Sequence, residues 1–140
     1  MKTVYLIVCG AGQAARAHEF IEAARTAGWD CHVIATNMGA KFIAKAQLEA
    51  ASGHPVTAEH RQPGTPRRDR PDADAVVIAP GAANTIGKLA AGIADVYALD
   101  IASEYIGLFL LFDGRVEEAK LRAWVAVRPQ PERLFRTYTG

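Results

Sequence analysis

The chain has 140 residues, half of them hydrophobic, which suits one domain with a substantial core. Lys and Arg number 16 against 15 Asp and Glu, so the formal net charge of +1 gives nucleic-acid binding no overall support. No apolar run reaches the roughly 18 to 20 residues that cross a bilayer, which argues against a membrane partner. Residues 1–8 indicate a buried first strand rather than a signal peptide, so we expect a cytoplasmic protein.

Strands and helices alternate along the predicted chain. Continuous apolar segments predict strands at 4–9, 31–35, 56–58, 74–79, 108–112 and 124–127. Helical spacing predicts helices at 14–27, 39–51, 84–94, 95–106 and 116–121. The inward residues expected in the first two helices are Phe20, Ile21, Ala24 and Ala27, then Phe42, Ile43, Ala46 and Ala50. This alternation predicts an α/β fold with a single doubly wound parallel sheet, a Rossmann- or flavodoxin-like three-layer sandwich over 1–140.

The region 62–72 contains prolines, a glycine and charged residues, which is typical of a loop. Its basic residues Arg67, Arg68 and Arg70 are expected to be solvated. Cys9 and Cys31 fall in predicted strands, where we expect small core residues rather than a disulfide.

A turn of small residues follows the first predicted strand. Residues 10–15 read G-A-G-Q-A-A, which matches the dinucleotide fingerprint G-x-G-x-x-A. That fingerprint also requires an acidic residue at the end of the second strand, where this chain has Thr36 and Asn37. The missing acid argues against NAD. Thr36 could hold a phosphate or simply cap the next helix.

A second turn, residues 80–88, reads P-G-A-A-N-T-I-G-K and links a buried strand to a helix. Its backbone N–H groups would suit a flat or anionic ligand at the carboxyl edge of the sheet. Asn84 could cap the helix, hold a carboxylate or contact a flavin edge, and Lys88 could face the same site or solvent. Among the four histidines, only His60 is plausibly placed for acid–base chemistry, but the sequence favours a surface loop histidine over that role.

Together these turns resemble the homo-oligomeric flavin-containing cysteine decarboxylase family, which includes phosphopantothenoylcysteine decarboxylase and the lantibiotic-type peptidyl-cysteine decarboxylases. The family hallmark is a P-A-S-A-N-T-like turn, then I-x-K and A-x-G-I-[AC]-D. This chain has I-G-K at 86–88 and A-G-I-A-D at 91–95. The resemblance covers about residues 3–107, and the region after 107 diverges.

The resemblance implies FMN as cofactor, with its phosphate near Gly12 and Thr36 and its ring against residues 80–85. It also implies oxidative decarboxylation of a cysteine-containing small molecule or peptide C-terminus, within a trimer or a multiple of trimers. In that scheme Asn84 binds the substrate carboxylate and His60 acts as the base. The cofactor-binding positions that it implies are Gly10, Ala11, Gly12, Gln13, Thr36, Phe42, Pro80, Gly81, Ala82, Ala83, Asn84, Thr85 and Lys88.

Two departures leave alternatives open. His60 precedes R-Q-P-G rather than a helical histidine motif, and no P-x-M-N-x-x-M-W substrate clamp follows residue 108. A non-catalytic FMN-binding or regulatory subunit would keep the turns and lose the base and the clamp. A flavin prenyltransferase-like enzyme is the other alternative, and it would need a basic phosphate site that the sequence does not clearly show.

Overall fold

The computed structural model describes residues 1–59, 62–65 and 70–105, and the backbone of two further strands at 109–112 and 135–138. The strands are β1 Lys2–Val8, β2 Trp29–Ala35, β3 Ala75–Ile78, β4 Phe109–Phe112 and β5 Phe135–Tyr138. The helices are α1 Ala17–Thr26, α2 Gly39–Phe42, α3 Lys45–Ser52, α4 Ala83–Ala90 and α5 Tyr97–Glu104, and a 3-10 helix spans Gly12–Arg16. Within these ranges, no helix combines the length and the apolar character that crossing a bilayer requires.

All five strands are parallel and follow the order β2-β1-β3-β4-β5. This confirms the predicted doubly wound sheet. The predicted strand at 56–58 is present as a single parallel bridge between Thr57 and Ile34, on the outer side of β2. Strand order reverses between β1 and β3, and ligands of such sheets bind beyond the carboxyl ends of the strands at that reversal.

The interior strand β1 is buried on both faces, because helices cover both sides of the sheet. Val4, Leu6 and Val8 belong to one core cluster, together with apolar residues of α1 and α3. The alternate residues Tyr5, Ile7 and Cys9 belong to the other cluster, with residues of α4 and α5. This alternation explains why β1 is apolar at nearly every position. Cys9 and Cys31 are buried free thiols, as predicted.

The predicted helix 39–51 is divided into α2 and α3. Ile43 has extended backbone angles, φ −104° and ψ 151°, and this break changes the phase of the helical faces. Consequently Leu48 is buried, whereas the predicted inward positions Phe42, Ala46 and Ala50 are exposed. The first helix was predicted more accurately, with Phe20, Ile21 and Ala24 in the core and Ala27 exposed.

The elements after β3 differ from the prediction mainly at their ends. The helix predicted at 84–94 ends at Ala90, and Gly92 follows in the left-handed region with φ +74°. The predicted strand 108–112 is present as β4, and β5 lies in the tail, where no strand was predicted. The helix predicted at 116–121, the strand predicted at 124–127 and His60 lie outside the described residues.

Residues 70–74 connect the loop to the amino edge of the sheet. The Arg70 guanidinium lies 4.7 Å from the centroid of the Tyr5 ring and donates a hydrogen bond to the Tyr97 hydroxyl. The Tyr5 hydroxyl donates to the Pro71 carbonyl oxygen, and the amide of Asp74 donates to the Thr3 carbonyl oxygen at 2.8 Å. The prediction that Arg70 is a solvated loop residue was therefore wrong, because aromatic rings cover its planar cation.

Two histidines and an aspartate also meet at this edge, near the start of β2. Burial lowers the pKa of His32, and the charge of the neighbouring His54 lowers it further. Burial acts to raise the pKa of Asp30, but hydrogen bonds from His54 and His32 outweigh it, and the pKa is lower than usual. His32 is buried.

Candidate functional site

The turns after β1, β2 and β3 lie side by side because backbone hydrogen bonds join them. The Cys9 amide donates to the Pro80 carbonyl oxygen at 3.1 Å, which links the first turn to the third. The Thr36 amide donates to the Val8 carbonyl oxygen at 2.9 Å, which links the second turn to the end of β1. These bonds extend the sheet ladder into the turns and fix the three backbones relative to one another.

A cavity of about 400 Å³ opens between these turns, and we call it the carboxyl-edge cavity. Its volume lies in the usual range of cofactor pockets. Apolar and polar groups both line it, and the lining residues are Gly10, Thr36, Asn37, Met38, Ala82, Asn84, Thr85, Lys88, Val96 and Leu99. The β1 and β3 turns both contribute, so the cavity lies at the reversal of strand order.

Two glycines allow the first and second turns to approach closely. A Cβ atom on Gly39 would lie 2.1 Å from the Val8 carbonyl oxygen, which belongs to rigid backbone. A Cβ atom on Gly10 would lie 2.3 Å from Cγ and 2.8 Å from Cβ of Met38. By contrast, a Cβ atom on Gly12 would meet no atom within 4 Å, so the space beside that residue is open.

Thr36 is buried at the base of the carboxyl-edge cavity and caps the short helix α2. Its Oγ1 accepts a hydrogen bond from the Gly39 amide at 2.9 Å. The cap that the sequence allowed is therefore present. This bond uses an oxygen lone pair, so the hydroxyl proton can still be donated to a ligand oxygen.

The start of α4 forms another wall. Ala82 occupies the N-cap position with φ −108° and ψ 147°, and it makes no side-chain cap hydrogen bond because it has no side-chain oxygen. A ligand oxygen can therefore accept from N–H groups of this first turn. Asn84 is exposed and Thr85 is buried. Burial raises the pKa of the nearby Cys9 thiol, and hydrogen bonds with Thr85 and the Ala82 backbone oppose that shift only partly.

Lys88 lines the cavity and is also ion-paired. Its Nζ donates to Asp95 Oδ2 at 2.8 Å, and this hydrogen bond lowers the pKa of the Asp95 carboxyl. The pair connects α4 to the segment before α5, and Asp95 balances the charge of the Lys88 ammonium beside the cavity. Both sequence interpretations of Lys88 are partly realised, since the side chain contacts the cavity and remains partly exposed.

The structure brings some of the predicted site residues together. Gly10, Thr36, Ala82, Asn84, Thr85 and Lys88 line the carboxyl-edge cavity. The remaining described candidates are in or beside the turns but do not line it: Ala11, Gly12, Gln13, Phe42, Pro80, Gly81 and Ala83. Their role in cofactor binding stays a prediction, as does the catalytic role of His60.

Four lining residues were not predicted. Asn37 and Met38 follow Thr36 in the second turn, and Val96 and Leu99 come from the start of α5. Met38 had a sequence signal, because a large apolar residue is unusual in a polar turn, and its side chain is 53% exposed. Val96 and Leu99 had none, since their position depends on how α5 packs beside α4.

Solved structures share this fold. EpiD from Staphylococcus aureus, an epidermin biosynthesis protein, superimposes with a TM-score of 0.71 at 19% identity, covering 98% of this chain and 82% of that one. TvaF, an FMN-dependent cysteine decarboxylase from thioviridamide biosynthesis, superimposes with a TM-score of 0.74 at 19% identity, covering 99% of this chain and 90% of that one. A phosphopantothenoylcysteine (PPC) decarboxylase mutant complexed with pantothenoylaminoethenethiol superimposes with a TM-score of 0.61 at 21% identity, covering 98% of this chain and 81% of that one.

The family model described as Flavoprotein matches residues 1–108. The chain therefore belongs to the Flavoprotein family, and a flavin is the cofactor class that this membership indicates. The match ends close to the point at which the sequence diverges from the cysteine decarboxylase motifs. No curated protein shows a significant match to the chain.

Proposed function

We propose that the chain binds FMN in the carboxyl-edge cavity and catalyses the oxidative decarboxylation of a cysteine-containing substrate. The observation that carries the proposal is the meeting of three turns around one cavity at the β1/β3 reversal. Membership of the Flavoprotein family supports the flavin. The neighbours described as FMN-dependent cysteine decarboxylase and PPC decarboxylase support the reaction and the choice of FMN.

The residues present fit a flavin. A flat aromatic ring needs apolar walls with a few polar groups that fix its orientation. Met38, Val96 and Leu99 supply apolar surface, and the backbone N–H groups in the first turn of α4 supply hydrogen-bond donors. Gly12 leaves open space beside the first turn, which lets a phosphate approach the backbone closely. The Thr36 hydroxyl and the Lys88 cation are the polar groups available to oxygen atoms of the cofactor.

In this proposal, Asn84, His60 and two apolar lining residues each have a specific role in the reaction. Bound FMN would supply the two-electron oxidation of the substrate cysteine to a thioaldehyde, which loses CO2 to leave an enethiol. The Asn84 carboxamide donates a hydrogen bond to the substrate carboxylate and holds it at the mouth of the cavity. His60 accepts the proton that the substrate releases. The apolar residues Val96 and Leu99 exclude water from the reacting carbon–sulfur end.

The test has two stages. First, an absorbance spectrum of the native protein is combined with mass spectrometry of whatever it releases on denaturation, and we expect FMN. Second, a peptide ending in cysteine is incubated with the protein, with the same peptide ending in serine as control. We expect the cysteine peptide alone to lose CO2 and two hydrogens. A colourless protein that does not take up added FMN contradicts the cofactor, and a yellow protein without turnover contradicts the decarboxylase.

The second candidate is a non-catalytic FMN-binding or regulatory subunit of the same fold. It is favoured by the absence of the P-x-M-N-x-x-M-W motif after residue 108 in the sequence. Turnover of the cysteine peptide separates the two candidates, and the variant His60→Asn then tests the proposed base. We expect it to lose turnover and retain FMN. Unchanged turnover would show that His60 is not the base.

We also propose that the protein forms a trimer or a multiple of trimers in the cytoplasm. Three large hydrophobic side chains support an interface between copies, since Met38, Phe42 and Ile93 are 53%, 46% and 44% exposed. Buried free thiols suit a reducing compartment. Light scattering after size exclusion gives the subunit number, and we expect a multiple of three. A stable monomer that still binds FMN would contradict the proposed assembly.

A further inference from the structure

Asp30, His32 and His54 form a compact group that we call the Asp–His cluster. The His54 Nε2 lies 2.7 Å from Asp30 Oδ1, and the His32 Nε2 lies 3.1 Å from Asp30 Oδ2. The two imidazole rings are stacked, with centroids 3.8 Å apart and an interplanar angle of 14°. One nitrogen or oxygen atom from each residue lies within 4.8 Å of the other two. Two imidazoles and a carboxylate therefore bring three potential ligand atoms close together.

The local fold determines this arrangement. Asp30 and His32 are two residues apart on β2, so the strand alternation directs them to the same face. His54 comes from the turn after α3, where Gly53 adopts φ +77° and ends the helix. The Ser52 hydroxyl accepts a hydrogen bond from the His54 amide at 3.2 Å, which orders that turn. The three residues are thus held by two elements of the folded core.

Solvent reaches the cluster from one side. An open depression of about 380 Å³ is lined by residues that include Asp30, Gly53 and His54. His32 has a side chain only 7% exposed, whereas Asp30 and His54 are 29% and 32% exposed. An ion could enter through the depression, bind the three side chains and complete its coordination with water.

We propose that the Asp–His cluster is a binding site for a divalent transition-metal ion such as Zn²⁺. Neutral imidazole and carboxylate are established ligands of such ions, at about 2.0–2.2 Å for nitrogen and oxygen. The stacked rings must turn slightly so that their Nε2 lone pairs converge, and the half-exposed loop position of His54 allows that movement. Mg²⁺ prefers oxygen ligands and is therefore not expected to bind here.

This site is separate from the carboxyl-edge cavity. Asp30 is near the start of β2 and Thr36 directly follows its end, and six residue-to-residue steps of extended chain separate them by about 20 Å. Metal binding and FMN binding can therefore succeed or fail independently. The FMN absorbance also reports whether a variant of the Asp–His cluster has folded.

The test uses untagged protein that has been treated with a chelator and dialysed. Zn²⁺ binding is measured by calorimetry and Co²⁺ binding by visible absorption, with Mg²⁺ as the negative control. We expect one Zn²⁺ or Co²⁺ per chain. His54→Ala and Asp30→Asn should each lower the affinity at least about tenfold. His18→Gln, which changes a histidine on α1 outside the cluster, should leave it unchanged.

Two results would overturn the proposal. One is a native protein that binds neither Zn²⁺ nor Co²⁺, and the other is an affinity that persists in both His54→Ala and Asp30→Asn. If His54→Ala does not fold, His54→Gln provides the same comparison, because glutamine keeps a polar side chain and lacks the imidazole. Loss of binding in all cluster variants, with normal circular dichroism, is the result that we expect.

Discussion

Gly39 shows how a single missing side chain positions the site. Its backbone packs so closely against β1 that an added Cβ atom would overlap the Val8 carbonyl oxygen. We expect Gly39→Ala to lower the free energy of unfolding by about 1–3 kcal/mol, because the rigid backbone must move to relieve the contact. Denaturant unfolding measures this value. Gly12→Ala is the matched control, since its Cβ would meet no atom within 4 Å. Equal effects would contradict the packing argument.

Asn84 tests the proposed substrate contact. Asn84→Asp replaces a hydrogen-bond donor with a carboxylate that repels the substrate carboxylate, so we expect kcat/KM to fall more than about tenfold. FMN retention should change much less, because the residue is exposed at the mouth of the cavity. Steady-state kinetics and an FMN titration measure the two effects. Asn37→Asp is the control, because it puts the same negative charge at another residue that lines the carboxyl-edge cavity. Equal loss of turnover and FMN would assign Asn84 to the fold or to the flavin.

At the scale of elements, the contact of the loop with β1 predicts an alkaline pH dependence. Burial raises the pKa of Tyr5 from 10.0 to about 12, although the charge of Arg70 opposes the shift. The native state holds the Tyr5 hydroxyl proton more tightly than the unfolded chain does. Its contribution to the free energy of unfolding is therefore fully present below pH 10. It is lost as the pH rises through the native pKa of about 12.

The variant Tyr5→Phe isolates this contribution. It has no phenol to ionise, so its unfolding free energy should fall less between pH 10 and pH 12 than that of the native protein. Denaturant unfolding at a series of pH values measures the difference. Parallel pH profiles for the two proteins would show that Tyr5 titrates normally and that burial does not raise its pKa.

The main strands could be predicted from sequence because the signal is strong there. A parallel sheet covered on both faces demands continuous apolar residues, and β3, β4 and most of β1 show them, whereas β2 has them only at its end, in residues 33–35. The break between α2 and α3 could not be predicted, since residues 39–51 have helical spacing throughout and only tertiary packing sets the extended backbone of Ile43. Strand β5 was missed because its sequence, F-R-T-Y, is too polar to indicate a buried strand.

The candidate site likewise has parts that could be predicted from the sequence and parts that could not. The turns were predictable because small residues between a strand and a helix have a local signature. The contribution of α5 depends on packing and left no pattern in the sequence. The Asp–His cluster was missed for a similar reason, since His54 is 24 residues from Asp30 and precedes a proline.

At the scale of the whole molecule, FMN should stabilise the fold. A ligand that binds only the native state adds about 2.7 kcal/mol at 100 times its Kd, which corresponds to a rise of several degrees in Tm. Thermal unfolding with increasing FMN measures the rise. Riboflavin, which lacks the phosphate, should produce a smaller one if groups such as Thr36 contact that phosphate. An unchanged Tm at saturating FMN would contradict binding in the carboxyl-edge cavity.

The hydrogen bonds from Cys9 to Pro80 and from Thr36 to Val8 have a consequence for substrate choice. They involve main-chain atoms alone, so the loops keep their spacing when side chains change at positions other than Gly10 and Gly39. Ordering these loops is part of folding, and a cofactor that enters afterwards loses little affinity to loop immobilisation. Related chains can therefore exchange side chains such as Met38 and Asn84 to recognise different molecules on an unaltered scaffold.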